Sequence, residues 1–320
     1  MVKQSDIDSL WGKSSEGPIK IGTRGSPLAL AQAQEVSRRL VEAGIVKKGS
    51  IKIQTIQTTG DKIFDKPLTE FGGKGLFTKE IDSALLAGEI EMAIHSMKDL
   101  PIEIPTGICV TCLLPREDPR DVLLGANSIM SLPDKAVVGT SSLRRSSQIL
   151  HLRPDISIVN FRGNIDSRIR KLHQGAVDAT LFAYAGLRRL GRDTAGGSIL
   201  EVSEMLPAPA QGAIAVATRI DDKELEDHLL KIHDHRTEQA VSCERAFLSS
   251  LGGSCRTPIA ALAQFQTDGK LLLNASILSI DGSKRFDVRL SGISSEAEQI
   301  GLEAGERIRV KAGTELPNWG

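Results

Sequence analysis

Aromatic residues are scarce in this chain: eight phenylalanines, two tryptophans and one tyrosine make up 3% of 320 residues. So few flat side chains disfavour a surface that binds nucleic acid by stacking bases. Long apolar runs are missing as well, since no stretch approaches the ~18 residues that cross a bilayer. The first 17 residues are polar and lack the apolar core of a secretory signal. They are expected to form a flexible tail, and the protein is expected to be cytoplasmic. Only four cysteines occur, and in that compartment they are expected to be reduced. Neither sign of charge is in excess: 40 basic residues balance 40 acidic ones, so no global field steers a polyanion. Neither a membrane nor a nucleic-acid partner is expected.

What is present is the composition of a globular protein, 40% hydrophobic and 25% charged. The length exceeds one ordinary core, so two or three domains are expected. The charge balance is local rather than uniform. From Gly139 to Arg192 ten Lys/Arg face three Asp, leaving seven positive charges that the rest of the chain must offset. Such a block suits a solvated surface, a nucleic-acid patch or a pocket for a small polyanion.

Two segments share one order. IKIGTRGSPLALAQAQ and AVVGTSSLRRSSQIL each run from an apolar strand through Gly-Thr and hydroxyl residues into a helix. Ser26 is a suitable N-cap and Pro27 suits the first helical position. Each unit aims a helix N-terminus, with its unpaired N–H groups, beyond the strand, which favours anions. Between and after them, strand patterns (IKIQTIQTT, EMAIHSM, ISIVNFRGN, VDATLFA, GAIAVAT) alternate with helix patterns (LFTKEIDSALLAG, IDSRIRKLHQG). Phe77, Ile81, Ala84 and Leu85 are expected on one helical face, with Gly88 ending it. The alternation predicts α/β lobes with largely parallel sheets. From about Asp221 the pattern changes to helix, strands and a final helix from Glu296, an α+β domain.

Polar residues gather just past predicted strand ends: Arg24 and Ser26, Lys98 and Asp99, Ser142 with Arg144 and Arg145, and Arg162. Ligands bind at that edge of an open α/β sheet, and two lobes with such edges make a cleft. Arg24, Arg144, Arg145, Arg162, Arg168, Arg188 and Arg189 are candidate carboxylate forks, which lysine cannot imitate. In HSMKDLP, Asp99 is suited to stabilise a cationic intermediate facing those cations. FGGKGLF lacks the order of a phosphate loop and reads as a flap carrying Lys74. The C-x-x-C of ICVTC lies in a β-branched run and reads as core packing. HDH at His233 to His235 reads as exposed helix, and no metal site is expected. LGGSCRTP differs from these: Cys255 follows glycines that admit a bulky group, and Arg256 would favour its thiolate.

Together, GTRGSPLALAQAQ, GGKGLFTKEI, AIHSMKDLP, REDPRD, VGTSSLRR, RGNIDSR, AGLRRLG, PAPAQGAIAV and GGSCRTPIA resemble the hydroxymethylbilane synthase, or porphobilinogen deaminase, family over nearly the whole chain. The resemblance implies a transferase of porphyrin, tetrapyrrole and heme biosynthesis. It would join four porphobilinogen molecules, with loss of ammonia, on a dipyrromethane cofactor held as a thioether by Cys255. Water would then release linear hydroxymethylbilane. Asp99 is implied as the catalytic acid. Lys98, Ser96, Thr140, Ser142, Arg144, Arg145, Arg162 and Arg168 are implied as cofactor-binding. Arg24, Ser26, Phe77, Arg189 and Gln211 are implied as substrate-binding. A monomer is implied. The implied fold is two lobes like those of periplasmic solute-binding proteins, joined by hinges, plus a small α+β domain. The boundaries are then 18–114 with 213–231, 115–212, and 232–320, with 1–17 a tail. A non-enzymatic binding protein for a carboxylated organic anion shares the lobes and is the alternative. A cysteine hydrolase would need a histidine partner for Cys255, and no motif supplies one.

Overall fold

A computed structural model describes residues 18–62, 75–254 and 257–315. Cys255, Arg256, Lys74 and the first 17 residues lie outside them. The described chain divides into two compact units: 18–62, 75–116 and Ala213–His235 in the first, Glu117–Gly212 and the residues from Arg236 in the second.

In the first unit, β1 (Ile19–Thr23) leads into α1 (Pro27–Glu42), followed by β2 (Ile51–Thr55), α2 (Lys79–Leu86), β3 (Met92–Ser96) and β4 (Ile108–Leu113). The Ser26 hydroxyl accepts from the Ala29 amide at 3.3 Å, so α1 starts where its cap and Pro27 direct. Ala29, Ala33, Val36 and Leu40 then form its buried stripe. Phe77 falls outside the helix expected to contain it, in the turn before α2, while Gly88 closes the far end at φ +71°. The sheet order is β2-β1-β3-β10-β4, with β10 at Ile214–Arg219. Successive residues bury opposite faces: Met92 and Ile94 pack with Val36, Leu40, Ile214 and Val216, whereas Ala93 packs with Ile81, Leu85 and Ala217.

The second unit repeats the plan with β5 (Asp121–Leu124), β6 (Val137–Gly139), α3 (Leu143–Leu152), β7 (Ser157–Val159), α4 (Ile165–His173), β8 (Ala179–Ala183), α5 (Tyr184–Arg189) and β9 (Ser198–Ile199). Its order is β7-β6-β8-β5-β9. The expectation of largely parallel sheets is corrected in both. β1 pairs parallel with β2 and β3, but β10 runs antiparallel to β3 and β4. Likewise β6 is parallel to β7 and β8, while β5 is antiparallel to β8 and β9. The antiparallel strands are those the chain supplies on passing between units, and no strand-helix-strand crossover fixes their direction.

α6 (Lys223–Leu229) belongs to the first unit, and α7 (His235–Ser250) opens the C-terminal part. His233 is not helical: its Nδ1 accepts from the Leu113 amide at 3.1 Å, and only His235 begins α7. β11 (Ile259–Phe265), β12 (Leu271–Leu278) and β13 (Arg285–Gly292) form an antiparallel meander covered by α8 (Ala297–Ala312). Its core joins Cys243 and Phe247 to Leu271, Leu273, Ala304 and Ile308.

Candidate active site

At the carboxyl end of the first sheet, β1 delivers Arg24 and β3 delivers Ser96, followed by a 3-10 turn at Met97–Asp99. The Asp99 carboxylate is exposed there, and Lys98 is half-buried. Arg24, Ser26, Gln32, Phe77, His95, Ser96 and Asp99 line one depression of about 60 Å³. That is far below the ~300 Å³ of a typical small ligand site, so it is too small to enclose a ligand.

Within it, Arg24 is already engaged. Its Nε donates to Asp61 Oδ1 at 3.1 Å, its guanidinium also meets Asp61 through Nη2, and it lies 4.4 Å from the Phe77 ring centre. Burial pushes Asp61 up, but hydrogen bonds from Arg24 and Thr58 outweigh it and hold the carboxyl below its ordinary range. Sequence reasoning missed this partner and also Gln32, whose amide donates to Ser96 Oγ at 2.8 Å. His95 is buried at 5% exposure, and its Nε2 has no partner among the described residues. Burial first, then the charge of Arg24, lowers its pKa to about 4, so the ring is neutral at pH 7.

In the second unit β6 ends at Gly139 and α3 begins at Leu143. Ser142 caps it by accepting from the Arg145 amide at 3.4 Å, and Thr140 Oγ1 accepts from the Ser142 amide at 3.2 Å. Arg144 and Arg145 were expected at a helix start facing a ligand cleft. Instead they are 5% and 8% exposed and share the fully buried Asp121. Arg144 Nη1 lies 2.8 Å from Asp121 Oδ2, and Arg145 Nη2 lies 2.8 Å from Oδ1. Burial alone would push Asp121 up, yet the two guanidiniums hold it well below the carboxylate range. Arg168 donates to Thr180 Oγ1 at 2.7 Å and to the Leu181 carbonyl at 2.8 Å, over the Phe182 ring. Burial and the nearby Arg145 lower its pKa to about 9.

Arg162 is half-buried beyond β7, and its carbonyl accepts from Lys171. Arg188 pairs with Glu117 at 2.7 Å, and Arg189 donates to the Gly212 carbonyl at 2.9 Å. Gln211, expected to line a substrate wall, is instead fully buried, donating to the Pro119 carbonyl at 2.6 Å and to Asp121 Oδ1 at 2.9 Å. Asp121 opens β5 as the last residue of REDPRD. An acid among arginines was the available signal, but only the fold reveals which arginines it meets.

Ser254 and Thr257 flank Cys255 and Arg256 in the chain. The two bond to each other, the Ser254 amide to Thr257 Oγ1 at 3.0 Å and Thr257 Oγ1 to the Ser254 carbonyl at 2.7 Å. Gly252 has φ +62°, and a Cβ on Gly253 would lie 2.5 Å from Ile259 Cδ1 and 2.6 Å from Leu248 Cδ1. The glycines therefore serve the turn itself and its close packing. Cys112 and Cys243 are core residues, with burial pushing both thiols up to about 12.

A polycarboxylate group fits this donor set. The Nε atoms of Arg144, Arg145 and Arg168 are buried without a hydrogen-bond partner among the described residues, at a sheet edge with a capped helix start.

Comparison with known proteins agrees. The model of "porphobilinogen deaminase, dipyromethane cofactor binding domain" matches residues 19–227, and that of "porphobilinogen deaminase, C-terminal domain" matches 238–309. The chain is 50% identical over 301 residues to "porphobilinogen deaminase, chloroplastic" of Oryza sativa subsp. japonica, covering 92% of this chain and 84% of that protein. The Pisum sativum protein of the same name is 48% identical over 302 residues, covering 92% and 82%. Among solved structures, a periplasmic substrate-binding protein of an ABC transporter from Coxiella burnetii aligns with 68% of this chain and 92% of that one, at 14% identity and a TM-score of 0.42. Two domain models in register and half the residues shared over nearly the full length leave one assignment: the chain belongs to the porphobilinogen deaminase family, transferases that build hydroxymethylbilane from porphobilinogen on a dipyrromethane cofactor.

Proposed function

We propose that Asp99 is the catalytic carboxylate of this transferase and that the arginines of the second unit hold the acid arms of its pyrroles. Porphobilinogen carries an acetate and a propionate, so a chain of four is a polyanion. A carboxylate near a pyrrole N–H offsets the positive charge that develops as ammonia departs. Asp99, exposed at the end of β3, is free to meet a ring in that way. Arg144, Arg145, Arg162, Arg168 and Arg189 supply guanidinium donors and positive charge, with Thr140 and Ser142 as hydroxyl partners. Ser96, Lys98, Arg24, Ser26 and Phe77 contribute from the first unit.

Residues Arg144, Arg145 and Arg168 would hold the dipyrromethane acids, and Cys255 its carbon. When bound, that group supplies the nucleophilic pyrrole carbon that primes the chain. The observation that carries the reading is the set of buried guanidiniums whose Nε donors lack partners among the described residues. Three domains, at 18–114 with 213–231, 115–212 and 232–320, and a monomeric protein complete the proposal.

The test is the intact mass of purified protein and of Cys255→Ser. The parent should carry the mass of a dipyrromethane and the variant should not. A fully loaded Cys255→Ser protein would overturn the attachment site.

A further inference from the structure

The arginine pair is held by a buried network that nothing in the family's chemistry requires by itself. Two adjacent buried cations repel and have lost their hydration, so keeping both in place needs an anion nearby. Asp121 lies between them: its Oδ1 accepts from Arg145 Nη2 at 2.8 Å, and its Oδ2 forms an ion pair with Arg144 Nη1 at 2.8 Å. Backbone carbonyls add to this: the same Arg144 Nη1 donates to the Leu206 carbonyl at 2.9 Å, and the other terminal nitrogen of Arg145, Nη1, donates to the Leu181 carbonyl at 3.0 Å. Arg144 is thus anchored through Nη1 and Arg145 through both terminal nitrogens, while each Nε is left over. The triad keeps one net positive charge for an incoming carboxylate.

Asp121 is itself positioned. Gln211 donates to its Oδ1 at 2.9 Å. The preceding residue, Ala210, has φ +62°, a conformation that costs a non-glycine residue about 1–2 kcal/mol and must be held from outside. Glu244 of α7 holds it. That fully buried carboxylate accepts from the Ala210 amide at 2.6 Å with one oxygen and from the Ala263 amide of β11 at 2.8 Å with the other. The chain of contacts therefore runs from the C-terminal part, through Glu244, Ala210, Gln211 and Asp121, to both arginines.

We propose that Asp121 is a positioning residue that orients Arg144 and Arg145 for carboxylate recognition, and that Glu244 keeps it in place through the 210–211 turn. The proposal rests on the reading that these arginines bind the acid arms of cofactor and substrate.

The test compares Asp121→Asn, Glu244→Gln, Arg144→Lys and Arg145→Lys as purified holoenzymes, by thermal midpoint, loaded fraction from intact mass, and KM and kcat for porphobilinogen. Asp121→Asn should raise KM or reduce the loaded fraction about tenfold, and Glu244→Gln about threefold, with kcat of the loaded enzyme changed less. If Asp121→Asn does not fold, Glu244→Gln decides, because it loses one acceptor without placing a charge change beside the arginines. A lowered thermal midpoint with unchanged KM and loading in the carboxylate variants would overturn the proposal, leaving the network a purely structural one. Unchanged KM and loading in the two lysine variants as well would overturn the carboxylate-binding reading beneath it.

Discussion

His95 and Asp99 lie four residues apart at the end of one strand, and their environments give them opposite uses. Asp99 is exposed and His95 is 5% exposed. If Asp99 offsets charge chiefly in the transition state, Asp99→Asn should lower kcat about 10²–10³-fold while KM moves little. Single-turnover addition of porphobilinogen to cofactor-loaded variant measures this, and elongation at the parent rate would show that the carboxylate only ends its strand. For His95 the consequence is stability. Its folded pKa of about 4 lies below the ordinary 6.5, so between those values the unfolded chain takes up a proton that the folded one refuses. Stability should therefore fall as pH drops through that window, by up to about 3 kcal/mol from this group. His95→Gln should flatten the decline in urea-unfolding stability between pH 7 and 4.5 relative to the parent. An unchanged slope would mean the ring titrates normally. Among the cysteines, Cys112 has a thiol pushed up to about 12 and no route to reactivity at neutral pH. Cys112→Ser should accordingly keep its cofactor by intact mass.

At the scale of elements, the hairpin joining β12 and β13 is docked on α3, the helix that opens with the arginine pair. His151 Nδ1 lies 2.8 Å from the Gly282 carbonyl. A Cβ on Gly282 would meet the His151 amide nitrogen at 2.5 Å, the Ser147 carbonyl at 2.6 Å and the Leu150 carbonyl carbon at 2.9 Å, at φ +73°. All three are backbone atoms that no rotamer change can move. Gly282→Ala should cost clearly more than the ~1–2 kcal/mol of a left-handed residue alone. Gly269→Ala is the control, since its φ is +82° but nothing lies within 4 Å of an added Cβ. Equal losses in thermal stability for the two variants would mean that the hairpin yields and does not anchor α3.

For the whole molecule, zero net charge conceals a division of labour. The positive excess of 139–192 is partly neutralised inside its own unit by acids from outside the segment, where Arg144 and Arg145 meet Asp121 and Arg188 meets Glu117. If the remaining arginines bind the acid arms of the substrate, as proposed, their pull is short-ranged. KM for porphobilinogen should rise several-fold between about 0.05 M and 0.5 M salt, with kcat changing less, because the Debye length falls to a few ångströms. A salt-independent KM would argue against a charge-dominated site. Membership in a transferase family also displaces the reading of a simple anion-binding protein. Among the described residues no helix is long and apolar enough to cross a membrane.

Local chemistry was legible in the sequence because it depends on neighbours in the chain. Ser26 caps the helix expected of it, a second helix follows the hydroxyl residues after Gly139-Thr140, β1, β3 and β12 follow their apolar patterns, and the ordered motifs identified the family. Strand direction was not legible, because β4, β5 and β10 are placed by the passage of the chain between units and carry no local mark of it. Nor was the fate of the arginines. A guanidinium written beside a helix start looks like a surface fork until a distant carboxylate is folded against it. Asp121 lies 23 residues before Arg144 and 90 before Gln211, and only tertiary packing brings the three within hydrogen-bonding distance. The residue types for binding a polyanion are written in the chain, whereas which of them are buried, paired and held in place is decided by what the fold packs against them.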